Sequence, residues 1–232
     1  MAWTTHLHAD AEALAAACAQ ALHEATDAAL QARGRAQLAI AGGRTPLPAL
    51  RRWSQRATLD ARVAITLTDE RWVPAAHPDA NLARLQACFP ADGGPAWYRL
   101  VPAAPDAMPS LHVANESLAR MPGNFDLVLL GMGEDGHIAS LFPTDPNLAE
   151  ALASDDDVLI GRPTPPPADA PHARITLSLA RLLRSRRRLL LVTGEPKRAL
   201  LEQAQRAPDA LRWPVSALLH APGPPVEIHW SP

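Results

Sequence analysis

Length, composition and charge set the first limits on this chain. It has 232 residues, of which 47% are hydrophobic, and a formal net charge of −2 at pH 7. A chain of this size buries roughly 70–75% of its unfolded surface, so we expect one domain over residues 1–232. Because so small a net charge creates no broad basic field, we expect no nucleic acid and no membrane as a partner.

The cysteines and the hydropathy pattern predict the compartment. Two cysteines are too few for a disulfide framework, and no charged head precedes an apolar signal core at the N-terminus. Apolar stretches also stay well short of the roughly 20 residues that span a bilayer. We therefore expect a cytoplasmic protein. We also expect it to act as a monomer.

Strand and helix patterns alternate along the chain. Strong helix formers over residues 10–34 predict a long helix that ends at Gly34. Short apolar runs then predict five strands, and helical patterns follow the first four of them. The predicted strands are residues 36–43, 61–70, 125–131, 187–194 and 225–230, and the helices begin at Pro46, near Ala80, near His137 and at Glu195.

This alternation predicts the fold class. Buried strands separated by helices favour a single-domain, three-layer α/β fold with a mainly parallel sheet covered by helices on both faces. Such sheets bind their ligands beyond the carboxyl ends of the strands, so the loops there are the first places to look for chemistry. The proline-dense residues 162–176 predict an irregular loop.

The first strand ends in the sequence AGGRTP. Gly42 and Gly43 would let the backbone approach a ligand, and Thr45 would cap a helix beginning at Pro46. Free amides at such a helix start attract phosphate. An ordinary capped helix after a tight turn explains the same residues.

Charged residues follow the second strand directly. Asp69, Glu70 and Arg71 are consecutive at its end. They could serve a site at the sheet edge, although surface loops often carry such charges without a function.

The third strand ends in the sequence GMGEDGH, residues 131–137. A histidine at a helix start would stay neutral and could act as a base, and either Asp135 or Glu134 could orient the ring of His137. Taken alone, such a histidine more often satisfies a backbone partner.

Other motifs in this region are weaker. The three glycines match the dinucleotide fingerprint, but that fingerprint belongs in the first strand-helix unit of a domain. The spaced ligands of a zinc site and the serine of a nucleophile elbow are both missing from the sequence here.

The fourth strand leads to Lys197, the only lysine in the chain. It lies in the first turn of a predicted helix, where the helix dipole disfavours a cation unless an anion is bound. Arg174, at the start of a predicted strand after the proline-dense segment, is a second candidate cation. It could equally be an ordinary surface arginine.

Several motifs taken together resemble the 6-phosphogluconolactonase family of the glucosamine/galactosamine-6-phosphate isomerase superfamily. They are AGGRTP, TDERWVP followed by ANLARL, LLGMGEDGHIASLFP, PHARITLS and VTGEPKRAL. The DGHIASLFP element is specific, whereas the glycine turn and the lysine motif are shared with glucosamine-6-phosphate deaminases. The deaminases resemble DGHIAFNEP at the third element and carry a tyrosine where this chain has Arg71.

The resemblance implies an activity. It implies a sugar-phosphate-binding α/β fold that hydrolyses 6-phospho-D-glucono-1,5-lactone in the pentose phosphate pathway, with a phosphosugar lactone as ligand and with neither a metal nor a cofactor. Two alternatives remain, a glucosamine-6-phosphate deaminase in which Asp69 abstracts a proton, and a sugar-phosphate sensor without turnover.

The resemblance also implies roles for single residues. His137 would be the general base, Asp135 would assist it, and Arg71 would face the developing negative charge. Asp69 and Glu70 would position Arg71 or sugar hydroxyls. The residues implied at the phosphate are Gly42, Gly43, Arg44, Thr45, Arg174 and Lys197.

The first motif departs from the family pattern. Family members usually read SGGSTP at this element, so Ala41 and Arg44 replace two serines. Arg44 then either reaches the phosphate or points outward.

Overall fold

The computed structural model describes residues 2–55, 59–90, 93–166, 168 and 171–232. Helices and strands alternate over most of this length. The strands are β1 (Trp3–Leu7), β2 (Ala36–Ile40), β3 (Val63–Leu67), β4 (Asp69–Arg71), β5 (Ala96–Tyr98), β6 (Leu127–Gly131), β7 (Val158–Gly161), β8 (Arg174–Leu177), β9 (Arg188–Thr193) and β10 (Val226–Ser231). The helices are α1 (Ala11–Arg33), α2 (Leu47–Ser54), α3 (Asn81–Gln86), α4 (Leu111–Ala119), α5 (Leu148–Ala153), α6 (Leu179–Leu183), α7 (Glu195–Arg206) and α8 (Val215–Leu219).

The central sheet has seven strands in the order β1-β10-β9-β6-β2-β3-β5. All neighbouring strands in it are parallel. Its middle strands are mainly apolar and, apart from Gly131 and Thr193 at their ends, buried, as expected for strands that are covered on both faces. The prediction of a mainly parallel α/β sheet is confirmed.

The direction of the crossovers places the helices in two layers. From β1 through β2 and β3 to β5 the chain moves toward one edge, and from β5 through β6 and β9 to β10 it moves back. Because parallel crossovers are right-handed, α1 and α2 cover one face and the helices from α4 to α8 cover the other. The contacts agree, since α1 packs on α2 whereas α8 packs on α6 and α7.

The predicted helix over residues 10–34 is present as α1. The carboxylate of Asp10 accepts the amide of Ala13 at 2.8 Å, and Gly34 ends the helix in the left-handed region with a φ of 70°. Although α1 has 23 residues, no helix in the described part of the chain is both long and apolar enough to cross a bilayer.

The start of α2 and the end of the proline-dense segment differ from the prediction. Helix α2 begins at Leu47 with Pro46 as its N-cap and has no side-chain cap, so the prediction that Thr45 caps it was wrong. The described part of the proline-dense segment is irregular, but its last residues, from Arg174 onward, belong to β8. Residues 167, 169 and 170 of that segment lie outside the described residues.

A second, antiparallel sheet of three strands lies at the carboxyl end of β3. Its order is β4-β8-β7, and β4 begins only two residues after β3 ends. Between the two strands, the amide of Thr68 donates to the carbonyl of Ile40 in β2, and the carbonyl of Thr68 accepts from Leu177 in β8. The small sheet thus carries the charged residues of β4 over the edge where ligands are expected.

A buried histidine of β10 links stability to pH. His229 is 6% exposed, and its Nδ1 lies 3.0 Å from Nε2 of His8, while the ring of His6 stacks on it. Burial, together with the positive charges of His6 and His8, lowers the pKa of His229 to about 4. The charge of Glu227 raises the pKa of His229, and the charge of Arg187 lowers it.

We expect the fold to lose stability as the pH falls from about 6.5 toward 4. In this range the unfolded chain protonates residue 229 and the folded chain does not, which costs about 2 kcal/mol between roughly pH 7.5 and pH 5. Urea unfolding of the parent and of His229→Leu at both pH values measures the effect. An equal loss of stability in the two proteins would contradict the assignment.

Candidate active site

His137 and Asp135 form a hydrogen-bonded pair beyond the carboxyl end of β6. Nδ1 of His137 lies 2.6 Å from Oδ1 of Asp135, and the same oxygen accepts the backbone amide of His137 at 3.1 Å. Burial raises the pKa of Asp135, but the hydrogen bond and charge of His137 outweigh burial and leave that pKa lowered. An ionised carboxylate only accepts, so Nδ1 carries a proton, and Nε2 is the nitrogen with the lone pair in the neutral form of the ring. Of the two acids that could orient His137, Asp135 contacts it and Glu134 is exposed to solvent.

The segment after β6 is a closed turn rather than the start of a helix. The amide of Gly133 donates to the carbonyl of His137 at 2.9 Å, and Met132 forms an isolated bridge with Ile138. The next helix begins only at Leu148. The prediction of a helix near His137 was wrong because this turn folds the chain back on itself, and the argument from the helix dipole no longer applies.

Glycine is required at two positions of this turn, for different physical reasons. A Cβ at Gly133 would lie 2.2 Å from Nδ1 of His137 and 2.6 Å from Oδ1 of Asp135. Gly136 has a φ of 82°, a backbone conformation that residues with a side chain rarely adopt. The glycines therefore make room for the pair and turn the chain around it.

Asp69 connects β4 to the segment that follows the pair. Oδ2 of Asp69 accepts the hydroxyl of Ser140 at 2.6 Å, and Oδ1 accepts the hydroxyl of Thr68 at 3.0 Å. Ser140 follows Ala139, whose φ of 47° is unusual for a residue with a side chain. This strained turn brings Ser140 to Asp69.

Glu70 and Asn81 hold Arg71 from two sides. The buried carboxylate of Glu70 accepts the amides of Arg71 and Asn81 at 2.7 Å and that of Leu82 at 2.8 Å. Nη1 of Arg71 donates to Oδ1 of Asn81 and to the carbonyl of Asp79 at 3.2 Å. Arg71 is therefore fixed both by its backbone and by one end of its guanidinium.

The two glycines after β2 differ in what surrounds them. A Cβ at Gly42 would lie 2.3 Å from the side chain of Asn81, so this glycine makes room for protein. Gly43 has only Pro46 at 3.9 Å and is exposed, as is Arg44 beside it. The open side of this loop is therefore at Gly43, Arg44 and Thr45, which is half-buried.

The two predicted cations are both held by backbone carbonyls. Arg174 is 5% exposed rather than a surface residue, and its Nη1 donates to the carbonyl of His172. Nζ of Lys197 donates to the carbonyl of Met132 at 2.8 Å. That carbonyl compensates part of the charge that the helix dipole disfavours at Lys197.

Contacts join most of the predicted residues into one region. Arg71 and Arg174 are direct partners in the β4–β8 ladder. The ring of Phe142 contacts two predicted residues. Its centroid lies 4.6 Å from the ring centroid of His137 and 5.9 Å from the guanidinium carbon of Arg174. Lys197 reaches the turn at Met132, next to Gly133.

Three residues of this region were missed by the sequence reasoning. They are Asn81, Ser140 and Phe142, all of which lie in the motifs that carried the family resemblance. Each acts on a candidate residue through a contact over a turn or between segments, which a single sequence does not reveal.

Two other features lie apart from these residues. A cavity of about 690 Å³ near β5 and α4 is lined by side chains such as Trp97, Val113 and Arg120 and by none of the predicted residues. In the described part of the chain, one group of His, Asp, Glu or Cys side chains could hold a metal ion: His77, Asp79 and His172.

The chain is similar in sequence and fold to several known proteins. The family model described as glucosamine-6-phosphate isomerases/6-phosphogluconolactonase matches residues 9–230. A 6-phosphogluconolactonase of Pseudomonas putida is 36% identical over 232 residues, with 98% of this chain and 92% of that protein covered. One from Rhizobium meliloti (strain 1021) is 35% identical over 235 residues, with 100% of both covered. The crystal structure of a 6-phosphogluconolactonase from Shewanella baltica superposes with a TM-score of 0.89 at 33% identity, covering 99% of this chain and 98% of that one.

We expect Gly133→Ala to separate His137 from Asp135, because the added Cβ occupies the position of the imidazole ring. The proton NMR signal of Nδ1–H, visible while Asp135 holds it, should disappear in this variant. Gly131→Ala is the matched control, since a Cβ there meets nothing within 4 Å. A signal that persists in both variants would show that the turn accommodates the methyl group.

Proposed function

The chain belongs to the family of glucosamine-6-phosphate isomerases and 6-phosphogluconolactonases, and on this premise we propose that it hydrolyses 6-phospho-D-glucono-1,5-lactone to 6-phospho-D-gluconate in the oxidative pentose phosphate pathway. The full-length relatives with this activity in their names support the assignment. The observation that carries it is the Asp135–His137 pair, a base with a free nitrogen at the ligand-binding edge of the sheet. Residues 1–232 serve this function as a single domain.

His137 activates the attacking water in this proposal. Its Nε2 takes a proton from water, the hydroxide adds to the lactone carbonyl carbon, and Asp135 stabilises the resulting imidazolium. When the tetrahedral intermediate collapses, the bond to the ring oxygen breaks and that oxygen recovers the proton from His137. The route forms no covalent enzyme intermediate and needs no metal ion, because the base supplies the nucleophile.

Arg71 stabilises the oxyanion of the tetrahedral intermediate. Asn81 and the carbonyl of Asp79 hold Nη1, which leaves the other guanidinium donors available to the substrate. A donor that is fixed before the reaction needs no reorganisation as charge develops, and this is the basis of oxyanion stabilisation. The anchoring of Arg71 by Glu70 supports this role.

The phosphate and the sugar hydroxyls bind around this centre. The loop of Gly42, Gly43, Arg44 and Thr45, which is open at its last three residues, offers backbone amides to the phosphate. The cations of Arg174 and Lys197 complete the site. Asp69 binds a sugar hydroxyl with the lone pairs that Ser140 and Thr68 leave unused.

The direct test is hydrolysis of freshly generated 6-phosphogluconolactone by the purified protein, measured against spontaneous ring opening. We expect enzyme-dependent opening and no ammonia from glucosamine 6-phosphate. Ammonia release, or lactone opening at the spontaneous rate, would overturn the proposal.

We expect His137→Ala to fold normally, to bind 6-phosphogluconate and to lose roughly 10²- to 10⁴-fold in kcat, the range for one positioned general base. The control is His112→Ala, which removes an exposed histidine paired with Glu116 on α4. Steady-state kinetics and thermal unfolding of both variants measure the effect. Turnover near that of the parent in a folded His137→Ala protein would remove this residue from the mechanism.

We expect Lys197→Met to weaken binding of 6-phosphogluconate roughly 10- to 150-fold, because a charge-assisted hydrogen bond contributes about 1.5–3 kcal/mol. The unliganded protein should lose only about 1 kcal/mol, for the bond to the carbonyl of Met132. Slow hydrolysis of glucono-1,5-lactone, which lacks the phosphate, should be unchanged.

The matched control for this prediction is Arg198→Met, which removes the next cation of α7. That arginine pairs with Glu202 and its guanidinium stacks on Trp230, so its loss should leave product binding intact. If Lys197→Met impairs both lactones equally, Lys197 has a structural role and the phosphate lies elsewhere.

A further inference from the structure

Two histidines and an aspartate converge beside the β4–β8 ladder. Nε2 of His172 lies 2.9 Å from Oδ2 of Asp79, and Nδ1 of His77 lies 3.8 Å from the same oxygen. One ligand atom from each residue lies within 4.8 Å of the other two. The three side chains are between 24% and 36% exposed, so solvent and ions reach them.

We propose that His77, Asp79 and His172 bind one divalent transition-metal ion of the zinc class. Ligands about 2.0–2.1 Å from a tetrahedral ion lie roughly 3.3–3.4 Å apart. The observed separations of 2.9 and 3.8 Å fall on either side of this value, and the third lies within 4.8 Å, so the three atoms need side-chain rotations to share one ion.

Metal binding would replace two hydrogen bonds within the cluster. Nδ1 of His77 accepts the backbone amide of Asp79 at 3.1 Å, and ligation by this nitrogen would take the place of that bond. A metal ion would displace the proton of the hydrogen bond between His172 and Asp79, because metal binding commonly releases protons from its ligands. A water molecule would take the fourth position, as in other sites with three protein ligands.

The ligand set selects the class of ion. Two imidazoles and one carboxylate suit zinc, cobalt or nickel, whereas magnesium and calcium require shells made of oxygen. The guanidinium of Arg71, which donates to the carbonyl of Asp79, further disfavours weakly held hard cations. Zn²⁺ is therefore the probe of choice, and Mg²⁺ is the negative control.

The ion would join two separate parts of the chain. His77 and Asp79 lie in the segment between β4 and α3, and His172 lies just before β8. The amide of Trp72 donates to the carbonyl of Ala173 at 2.8 Å, so the site extends the ladder beyond its last hydrogen bond.

The same peptides hold two arginines of the candidate active site. The carbonyl of Asp79 accepts from Arg71, and the carbonyl of His172 accepts from Arg174. A metal ion at this cluster would therefore fix the backbone that holds both guanidinium groups, without any of the residues assigned to hydrolysis among its ligands.

The test uses untagged protein, freed of metal with a chelator and dialysed against Zn²⁺. We expect one tightly bound equivalent, no competition from excess Mg²⁺, and a visible absorption spectrum of bound Co²⁺ that is typical of four or five ligands. His172→Ala and His77→Ala should each bind Zn²⁺ at least roughly tenfold more weakly, since even residues beyond the direct ligands cost 10- to 100-fold.

His112→Ala, which removes an exposed histidine on α4, is the matched control and should bind Zn²⁺ as the parent does. Circular dichroism and thermal unfolding establish that each variant is folded, and a misfolded His77→Ala is replaced by His77→Gln. Failure of the parent to bind Zn²⁺, or equal binding by the parent and both ligand variants, would overturn the proposal.

Discussion

The buried carboxylate of Glu70 determines the arrangement of much of the candidate active site. It is 1% exposed and accepts three backbone amides, one from its own strand and two from the start of α3. Burial raises the pKa of Glu70 despite these bonds, so enclosing the carboxylate costs free energy. Ala80, the N-cap residue of α3, has no side chain that could bind those amides. The bonds from Glu70 satisfy these donors instead, and this gain offsets the cost of burial.

The other contacts of the site depend on this cap. With α3 fixed to β4, Asn81 lies against the guanidinium of Arg71 and also against Gly42, where no larger residue would fit. The loop after β2, the strand β4 and the helix α3 are thereby held in one arrangement. Rigidity of this kind keeps donors at fixed positions before a substrate arrives, which is how an active site lowers reorganisation costs.

The sequence predicted the position of the site better than the roles of its residues. Asp69, Glu70 and Arg71 were assigned to the edge of the sheet because they end an apolar run, and they lie there. That Glu70 caps a helix while Asp69 binds Ser140, 71 residues away, follows from packing between segments that no local pattern records. The strands β1 and β5 were missed because each is an edge strand, β1 mostly exposed and β5 only three residues long.

The proposed base and the proposed phosphate site draw on different lengths of the chain. Asp135 and His137 are two residues apart, so a short turn with glycine at position 133 is enough to build the pair. The proposed phosphate site instead collects groups from β2, β8 and α7, and its geometry depends on the whole sheet.

Arg44 replaces a serine usual in the family at the exposed edge of this site. A serine hydroxyl holds phosphate at short range with little loss of entropy, whereas an arginine reaches farther but must give up about 2 kcal/mol of rotamer freedom. In the proposed phosphate site, the buried Arg174 and the anchored Lys197 supply the fixed charge, so this proposal leaves the exposed end open to such an exchange.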